Sequence, residues 1–159
     1  MEIHSEDLRQ AMRHWATGVT VVTSPRDGVH YGMTVSSFTS LSLDPPLVMV
    51  SLQQGSRTQD AVVASGVFGV TILAGDQQDL ADCFAGRRCD DEFRFEGISI
   101  QTLITGAALF PGGLAWFDCQ VVSAYDAGTH TLFVGEVVAA YSQEGAPLLY
   151  HNRAYRALC

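Results

Sequence analysis

The sequence has little positive charge. Lysine and arginine together number nine against seventeen acidic residues, which gives a formal net charge of −8 at pH 7. Nucleic-acid and anionic-membrane surfaces depend on dense positive charge, and basic residues cluster here only at Arg87-Arg88. The composition therefore argues against nucleic acid and against an anionic membrane as partners.

Long apolar runs are also missing. No run approaches the roughly 20 residues that span a bilayer, and no charged segment followed by an apolar core opens the chain. We therefore expect a cytoplasmic protein. With 159 residues and 47% hydrophobic content, the chain has enough material for one well-filled core, so we predict a single domain over residues 1–159.

Paired metal ligands and nucleotide-binding glycine motifs are absent as well. The four cysteines and five histidines are scattered, with no Cys-x-x-Cys, so we expect neither a disulfide framework nor a metal site. Gly-x-Gly-x-x-Gly is missing, which argues against a Rossmann unit. No Walker loop is present, so nucleoside triphosphate hydrolysis has no support.

Short hydroxyl side chains are abundant between Val29 and Leu52. Two apolar runs there meet at Asp44-Pro45-Pro46, and they carry seven such residues: Thr34, Ser36, Ser37, Thr39, Ser40, Ser42 and Ser51. Each hydroxyl donates and accepts hydrogen bonds without adding bulk, which suits close approach by an anionic or amide-rich ligand. The alternative is an ordinary half-buried strand of high β propensity.

A second polar segment, Gly55-Ser56-Arg57-Thr58, opens a predicted helix over Thr58 to Ser65 that Gly66 ends. Free amides, two hydroxyls and a guanidinium at a helix N-terminus are the groups that hold a phosphate. The alternative is a capped helix start without a ligand.

The remaining pattern predicts a mainly β protein. Ser5 is expected to cap a first helix with its apolar face at Leu8, Met12 and Trp15, and a third helix is expected over residues 76–84. Residues 24–28 and 126–130 are predicted turns, and residues 87–94 a solvated charged loop. About seven strands joined mostly by tight turns favour an antiparallel sheet closed into a barrel, with two or three short helices.

Several segments, taken in order, resemble the short-chain flavin reductases, which supply reduced flavin to two-component monooxygenases and have the FMN-binding split-barrel fold. The resemblance covers nearly the whole chain. Its segments are Ala16 to Thr23, Gly32 to Ser42, Pro45 to Leu47, Phe84 to Gly86, Arg88 to Phe95, Gly128 to Val137 and Pro147 to Tyr150.

The resemblance implies a flavin site for FMN or FAD. The isoalloxazine would lie against Thr34, Val35, Ser36 and Ser37, with Ser51 and Leu52 continuing that wall. Ser56, Arg57 and Thr58 would take the phosphate, Arg87 or Arg88 would add a contact to it, and Phe84 with Ala85 would close the site. The family commonly has Asn at the position of Ser36, and the shorter serine affects flavin affinity or choice.

The resemblance also implies a nicotinamide site for NADH or NADPH. The family has Gly-Asp-His where this chain has Gly128-Thr129-His130, and the histidine is implicated in holding the nicotinamide nucleotide against the flavin. Tyr155 lies in the corresponding C-terminal segment, where structural packing is the alternative role.

The implied reaction is hydride transfer from nicotinamide C4 to flavin N5 in a homodimer that serves a monooxygenase. Catalysis then rests on stacking geometry rather than on an acid–base residue. Three alternatives are a non-enzymatic flavin-binding electron carrier, a split-barrel oxidase acting on a pyridoxine-type phosphate, and a barrel without a ligand. The acidic composition disfavours the oxidase, and the hydroxyl-rich segment disfavours the empty barrel.

Overall fold

A computed structural model describes residues 2–89 and 94–159, so positions 90–93 of the predicted charged loop lie outside the described residues. The helices are α1 (Ser5–Met12), α2 (Arg57–Ser65) and α3 (Gln78–Phe84). The strands are β1 (Thr17–Gly18), β2 (Thr20–Arg26), β3 (Val29–Val35), β4 (Phe38–Leu43), β5 (Pro46–Gln53), β6 (Val67–Ile72), β7 (Ala115–Ala127), β8 (His130–Ser142), β9 (Leu149–His151) and β10 (Ala154–Arg156).

Seven strands form one sheet in the order β3-β2-β6-β7-β8-β5-β4, and every neighbouring pair is antiparallel. Strands β3 and β4 lie at the two edges of this sheet although only Ser36 and Ser37 separate them in the chain. The sheet therefore curls until its edges meet at those two residues, which is the predicted split barrel. Strands β1, β9 and β10 form a small second sheet.

The first hairpin turns more tightly than predicted. Only Asp27 and Gly28 form the turn, with φ of 51° and 76°, while Ser24, Pro25 and Arg26 pair with β3. The predicted turn over residues 24–28 is thus wrong in extent. Strand β2 pairs with β6 only as far as Thr23, so Pro25 lies where β2 has no second partner strand and its missing N–H costs no ladder bond.

The second hairpin is the longest feature of the sheet. Strands β7 and β8 pair along their whole length, from Ala115 opposite Ser142 to Ala127 opposite His130. The two predicted strands are confirmed, and the connection shortens to Gly128 and Thr129. Gly135 on β8 is required by packing, because a Cβ there would lie 2.5 Å from the Phe68 ring.

Two apolar clusters form the core. The barrel interior is filled from β2, β5, β6 and β8, with Val22, Val50, Phe68 and Phe133 fully buried. A second cluster lies beneath α3. Its members include Leu73, Ala81, Phe84, Phe110 and Leu148.

Helix α2 matches its prediction, whereas α1 does not. Ser56 caps α2 and Gly66 ends it in the left-handed region. The N-cap of α1 is His4 rather than Ser5, and the His4 amide donates to the Asp7 carboxylate at 2.9 Å. No residue of α1 is buried, and Leu8, Met12 and Trp15 are 60%, 53% and 67% exposed. The apolar side chains of the α1 segment therefore contribute nothing to the core of the single chain.

Contrary to the sequence-based expectation, Cys83 and Cys89 form a disulfide. Their Cα atoms are 4.9 Å apart because α3 ends at Phe84 and Gly86, with φ of 76°, turns the chain back. The bond holds the turn after α3, which carries Ala85, Arg87 and Arg88. Spacing alone did not indicate this pairing.

Across residues 2–89 and 94–159, no helix is long and apolar enough to cross a membrane. The same residues contain no group of three or more metal-ligating side chains.

Candidate functional site

The open edge of β3 carries the first candidate site. Among the described residues β3 pairs with β2 alone, so its outer edge is not covered by another strand. A cleft of about 190 Å³, here called the ring cleft, lies at the end of this edge. It is lined by Val19, Thr34, Val35, Ser36, Ala85, Arg87, Tyr150 and Tyr155. Five of the residues assigned from the sequence, Thr34, Val35, Ser36, Ala85 and Tyr155, thus lie around one cleft.

Hydrogen bonds fix the hydroxyl side chains of this wall. Thr34 Oγ1 donates to the carbonyl of Ala81 at 2.7 Å, which ties β3 to α3. Ser37 Oγ donates to the carbonyl of Ser51 at 2.7 Å and accepts from the Ser51 amide at 3.3 Å. Ser36 is exposed in the ring cleft. The structure therefore brings Ser37 and Ser51 together, although neither lines the ring cleft, and it commits the donor hydrogens of Thr34 and Ser37 to the protein.

A buried carboxylate organises the far side of the ring cleft. Asp82 accepts hydrogen bonds from the Tyr155 hydroxyl at 3.0 Å and from Arg87 Nη1 at 3.2 Å. The Arg87 guanidinium lies 5.8 Å from the centre of the Tyr155 ring. Burial, with the hydrogen bond to Asp82 second, raises the pKa of Tyr155 to about 12. Tyr155 is therefore a neutral phenol at physiological pH.

Sequence reasoning missed Asp82, whereas it considered Arg87 as an alternative to Arg88. Asp82 is separated from Tyr155 by 73 positions, so no local motif signals their contact. The assigned arginine, Arg88, is exposed and forms an ion pair with Asp79. Arg87 lines the ring cleft, whereas Arg88 does not.

A second cleft of about 300 Å³, here called the phosphate cleft, is lined in part by the β3 residues that come directly before those of the ring cleft. It is lined by His30, Tyr31, Gly32, Met33, Gly55, Ser56, Arg57, Thr58, Arg94 and Phe95. Ser56 Oγ accepts from the Gln59 amide at 3.2 Å and so caps α2 at the cleft. Thr58 is buried and Arg57 is exposed. The three residues assigned to a phosphate thus share one cleft.

Arg94 adds a second guanidinium to the phosphate cleft. Its Nη1 donates to the Gly32 carbonyl at 3.0 Å and to the Phe84 carbonyl at 3.3 Å. The sequence pattern placed Arg94 in a solvated loop, but the structure holds it, half-buried, across β3 and the end of α3. Arg57, at the N-terminus of α2, and Arg94 therefore place two positive charges in one cleft of an otherwise acidic chain.

Two assigned side chains point into the core. Leu52 and Phe84 are 0% and 1% exposed. The Phe84 ring packs against Phe95 and Phe110 at centroid distances of 4.9 and 5.0 Å. The prediction that the Phe84 ring contacts a flat ligand is therefore wrong, because this ring packs in the core. The Leu52 side chain is buried as well, so only its backbone could contribute to the predicted wall.

His130 lies at the start of β8, exposed, beside the loop that leads into α2. Its Nδ1 is 2.9 Å from Thr129 Oγ1, and its carbonyl accepts from Gln54 Nε2 at 3.2 Å. The backbone N–H of Gln54 also donates to the Thr129 carbonyl at 2.9 Å. These bonds fix the hairpin tip to the loop after β5. His130 lines neither the ring cleft nor the phosphate cleft, so within one chain the structure does not place it against Thr34 to Ser37.

The family model "Flavin reductase like domain" matches residues 12–159. The "NADH-dependent flavin reductase" of a Rhodococcus species is 38% identical, with 99% of this chain and 88% of the relative covered. A 39% identical relative from Rhodococcus opacus, covering 92% of this chain and 77% of the relative, is the reductase component of "4-nitrophenol 4-monooxygenase/4-nitrocatechol 2-monooxygenase". The solved structure of BorF, the flavin reductase component of a bacterial two-component tryptophan halogenase, is 40% identical with a TM-score of 0.89 and 98% of both chains covered.

Proposed function

Because this chain belongs to the flavin reductase-like domain family, we propose that it is an NAD(P)H-dependent flavin reductase of the EC 1.5.1 type. It takes NADH or NADPH as hydride donor and FMN or FAD as acceptor, and residues 1–159 act as one catalytic domain. The observation that carries the proposal is that consecutive segments of β3 line the two clefts, residues 30–33 the phosphate cleft and Thr34 with Val35 the ring cleft.

The phosphate cleft fits the phosphate of a flavin nucleotide. The amides at the start of α2 and the Ser56 and Thr58 hydroxyls offer hydrogen-bond donors at the positive end of a helix dipole. Arg57 and Arg94 add charge-assisted donors to the same cleft. Since the chain carries a net charge of −8, an anion has few other positively charged places to bind.

The ring cleft fits one end of a planar heterocycle. Thr34 and Val35 supply backbone along the β3 edge, and Ala85 leaves open space opposite them. The Tyr155 phenol, held by Asp82, fixes the width of the cleft. A bound flavin supplies the hydride acceptor at N5, and the residues of the cleft orient the ring and exclude water.

His130 is proposed to hold the nicotinamide nucleotide. Thr129 occupies its Nδ1, so the proposed contact of this exposed imidazole with the nucleotide falls to Nε2. Thr129 replaces the acidic residue of the family motif, so the contact with Nδ1 is neutral rather than charge-assisted. Arg88, on the surface beside α3, is proposed to add a contact to a nucleotide phosphate.

The experiment that tests the function is a steady-state assay of the purified chain with both nicotinamides and both flavins. We expect oxidation of NADH or NADPH together with loss of the visible absorbance of oxidised flavin under anaerobic conditions. The electron carrier named above would bind flavin without oxidising either nicotinamide. That outcome would reject the reductase and favour the carrier.

We further propose that the chain is cytoplasmic, forms a homodimer and delivers reduced flavin to a flavin-dependent monooxygenase. The relative from Rhodococcus opacus is named as the reductase component of such a system. The exposed apolar side chains of the α1 segment support a second copy as the partner that covers them. Adding a monooxygenase to the assay should couple nicotinamide oxidation to product formation without a stable contact between the two proteins.

A further inference from the structure

A third cleft opens beside the phosphate cleft, between the end of the β2–β3 hairpin and the first turn of α2. Its volume is about 510 Å³, within the roughly 300–1,000 Å³ of small-molecule sites. We call it the hairpin cleft. Its lining includes Arg26, His30, Tyr31, Asp60, Phe95 and Glu96. Arg26, Asp60 and Glu96 were assigned no role above, whereas His30, Tyr31 and Phe95 also line the phosphate cleft.

The hairpin cleft is continuous with the phosphate cleft. The two share His30, Tyr31, Arg57 and Phe95 as lining residues. A ligand whose phosphate lies at the start of α2 can therefore extend into the hairpin cleft directly from that phosphate. The ring cleft lies in the other direction along β3 and shares no lining residue with the hairpin cleft.

Flat side chains form one side of the hairpin cleft. The His30 and Phe95 rings lie 5.8 Å apart at 40°, and Phe95 is fixed from behind by Phe84 and Phe110. Burial lowers the pKa of His30, which favours a neutral imidazole there. Neutral aromatic faces of this kind suit stacking with a nucleobase.

Charged side chains of both signs complete the lining. Arg26 and Arg57 supply guanidinium donors for a phosphate, and Asp60 and Glu96 supply acceptors for an exocyclic amino group or for ribose hydroxyls. The hairpin cleft thus offers partners for a base, a ribose and a phosphate, and it opens onto the cleft proposed for the flavin phosphate. An adenylate group joined to a second phosphate has this set of groups.

We propose that the hairpin cleft binds the adenylate group of FAD, so that this chain takes the flavin dinucleotide in preference to FMN. The proposal rests on the proposed function, because it assumes that the phosphate cleft holds the flavin phosphate. NADH also carries an adenylate. We assign the cleft to FAD because in FAD the adenylate is joined directly to the flavin phosphate.

The test is equilibrium titration of FAD and FMN into the wild-type chain, into Arg26→Glu and into Arg9→Glu. Arg26 lines the hairpin cleft but not the phosphate cleft, and Arg9 is an exposed arginine of α1 that makes the same charge change elsewhere. We expect wild type to bind FAD about tenfold or more tightly than FMN. Arg26→Glu should abolish most of that difference by weakening FAD alone, free adenosine, which lacks a phosphate, should compete with FAD but not with FMN, and Arg9→Glu should change neither constant.

Each other outcome overturns the proposal. Equal affinity of the wild-type chain for FAD and FMN would show that the adenylate group adds nothing to binding and so does not occupy the hairpin cleft. A raised KM for NADH in Arg26→Glu, measured with FMN as acceptor, would assign the adenylate to the nicotinamide dinucleotide instead. If wild type bound neither flavin, the proposed function would fail as well, whereas FMN reduction without FAD preference would refute only the adenylate assignment.

Discussion

At the scale of single residues, Asp82 has the largest influence on the candidate site. Its carboxylate is nearly buried, and it joins Tyr155 from the C-terminal strand to Arg87 from the turn after α3. Burial of a carboxylate is costly unless its lone pairs are satisfied, and here both partners also line the ring cleft. Asp82 is therefore a positioning residue for the proposed reaction.

We predict that Asp82→Asn lowers the pKa of Tyr155 from about 12 towards its ordinary value near 10, because it removes the charge that opposes phenolate formation. It should also raise KM for the flavin several-fold, because Arg87, which lines the ring cleft, loses its ion pair with Asp82. Ultraviolet titration of the phenolate, with Tyr155→Phe as the blank, and steady-state kinetics measure the two effects. Asp79→Asn, an exposed carboxylate on the same helix, is the control and should leave the Tyr155 titration unchanged.

His130 yields a second prediction at this scale. We expect His130→Ala to raise KM for NADH by about tenfold or more and to leave the flavin dissociation constant within a factor of about two, since the side chain lines neither proposed flavin cleft. His151→Ala serves as the control on another strand. Equal losses in flavin and nicotinamide binding would remove the assigned role.

Cys119 makes stability depend on pH. Burial, followed by the charge of Asp118, raises the pKa of its thiol to about 12 from the ordinary value of 9.0. Between pH 9 and pH 12 the unfolded chain has lost the proton of the Cys119 thiol, whereas the folded chain keeps it. The contribution of this thiol to stability is therefore complete below pH 9 and disappears as the pH rises through 12.

The expected decrease in the free energy of unfolding over this window is of the order of 4 kcal/mol. Reversible denaturant titrations at several pH values measure it. Cys119→Ala should flatten the slope, whereas Cys159→Ala, at an exposed free thiol, should not. An unchanged slope in Cys119→Ala would show that other groups cause the alkaline loss of stability.

At the scale of elements, α2 combines a structural and a binding role in one residue. Ser56 caps the helix, and its position at the phosphate cleft puts the same hydroxyl beside the proposed phosphate. The two roles can be separated because aspartate caps helices as well as serine does but repels an anion.

We predict that Ser56→Ala costs about 1 kcal/mol of stability, whereas Ser56→Asp keeps near wild-type stability. Both variants should weaken FMN binding, and Ser56→Asp should weaken it more. Thermal unfolding and flavin titration provide the two measurements. Wild-type FMN affinity in Ser56→Asp would place the phosphate elsewhere.

Elements with local signals were predictable from the sequence, and contacts between distant elements were not. Ser56 and Gly66 define α2 within eleven positions, and Asp27-Gly28 defines a turn within two. The position of Arg94 across β3 depends on a residue 62 positions away, so no pattern around Arg94 indicates it. The same limit explains why the α1 segment was expected to bury side chains for which a single chain provides no cover.

At the scale of the whole molecule, the antiparallel barrel followed from counting strands and turns, because tight turns leave few arrangements other than neighbouring antiparallel strands. The site was predictable only in outline. Thr34 to Ser36 and Ser56 to Thr58 do line two clefts that β3 contributes to, and whether those clefts bind flavin stays a prediction. The chain pattern did not indicate how the ring cleft is closed by Asp82, Arg87 and Tyr155.

The whole-molecule prediction concerns assembly. We expect sedimentation equilibrium to give twice 17.2 kDa, because Met12 and Trp15 are more than half exposed on one side of the α1 segment. Met12→Glu should shift the equilibrium towards the single chain. Gln10→Glu adds the same charge to the same helix and should not. A wild-type mass of 17.2 kDa at working concentrations would contradict the homodimer.

Ser36 and Ser37 are the covalent link between the two outermost strands of the seven-stranded sheet. A protease cut between them would release β3 and β4 from each other while leaving both still paired on their inner sides. Among the described residues neither outer edge is paired with another strand, so moving these edges apart would open their peptide groups to strand recruitment between molecules and to aggregation. A nicked chain should therefore precipitate before it unfolds, and a ligand lying across this link should protect it from cleavage.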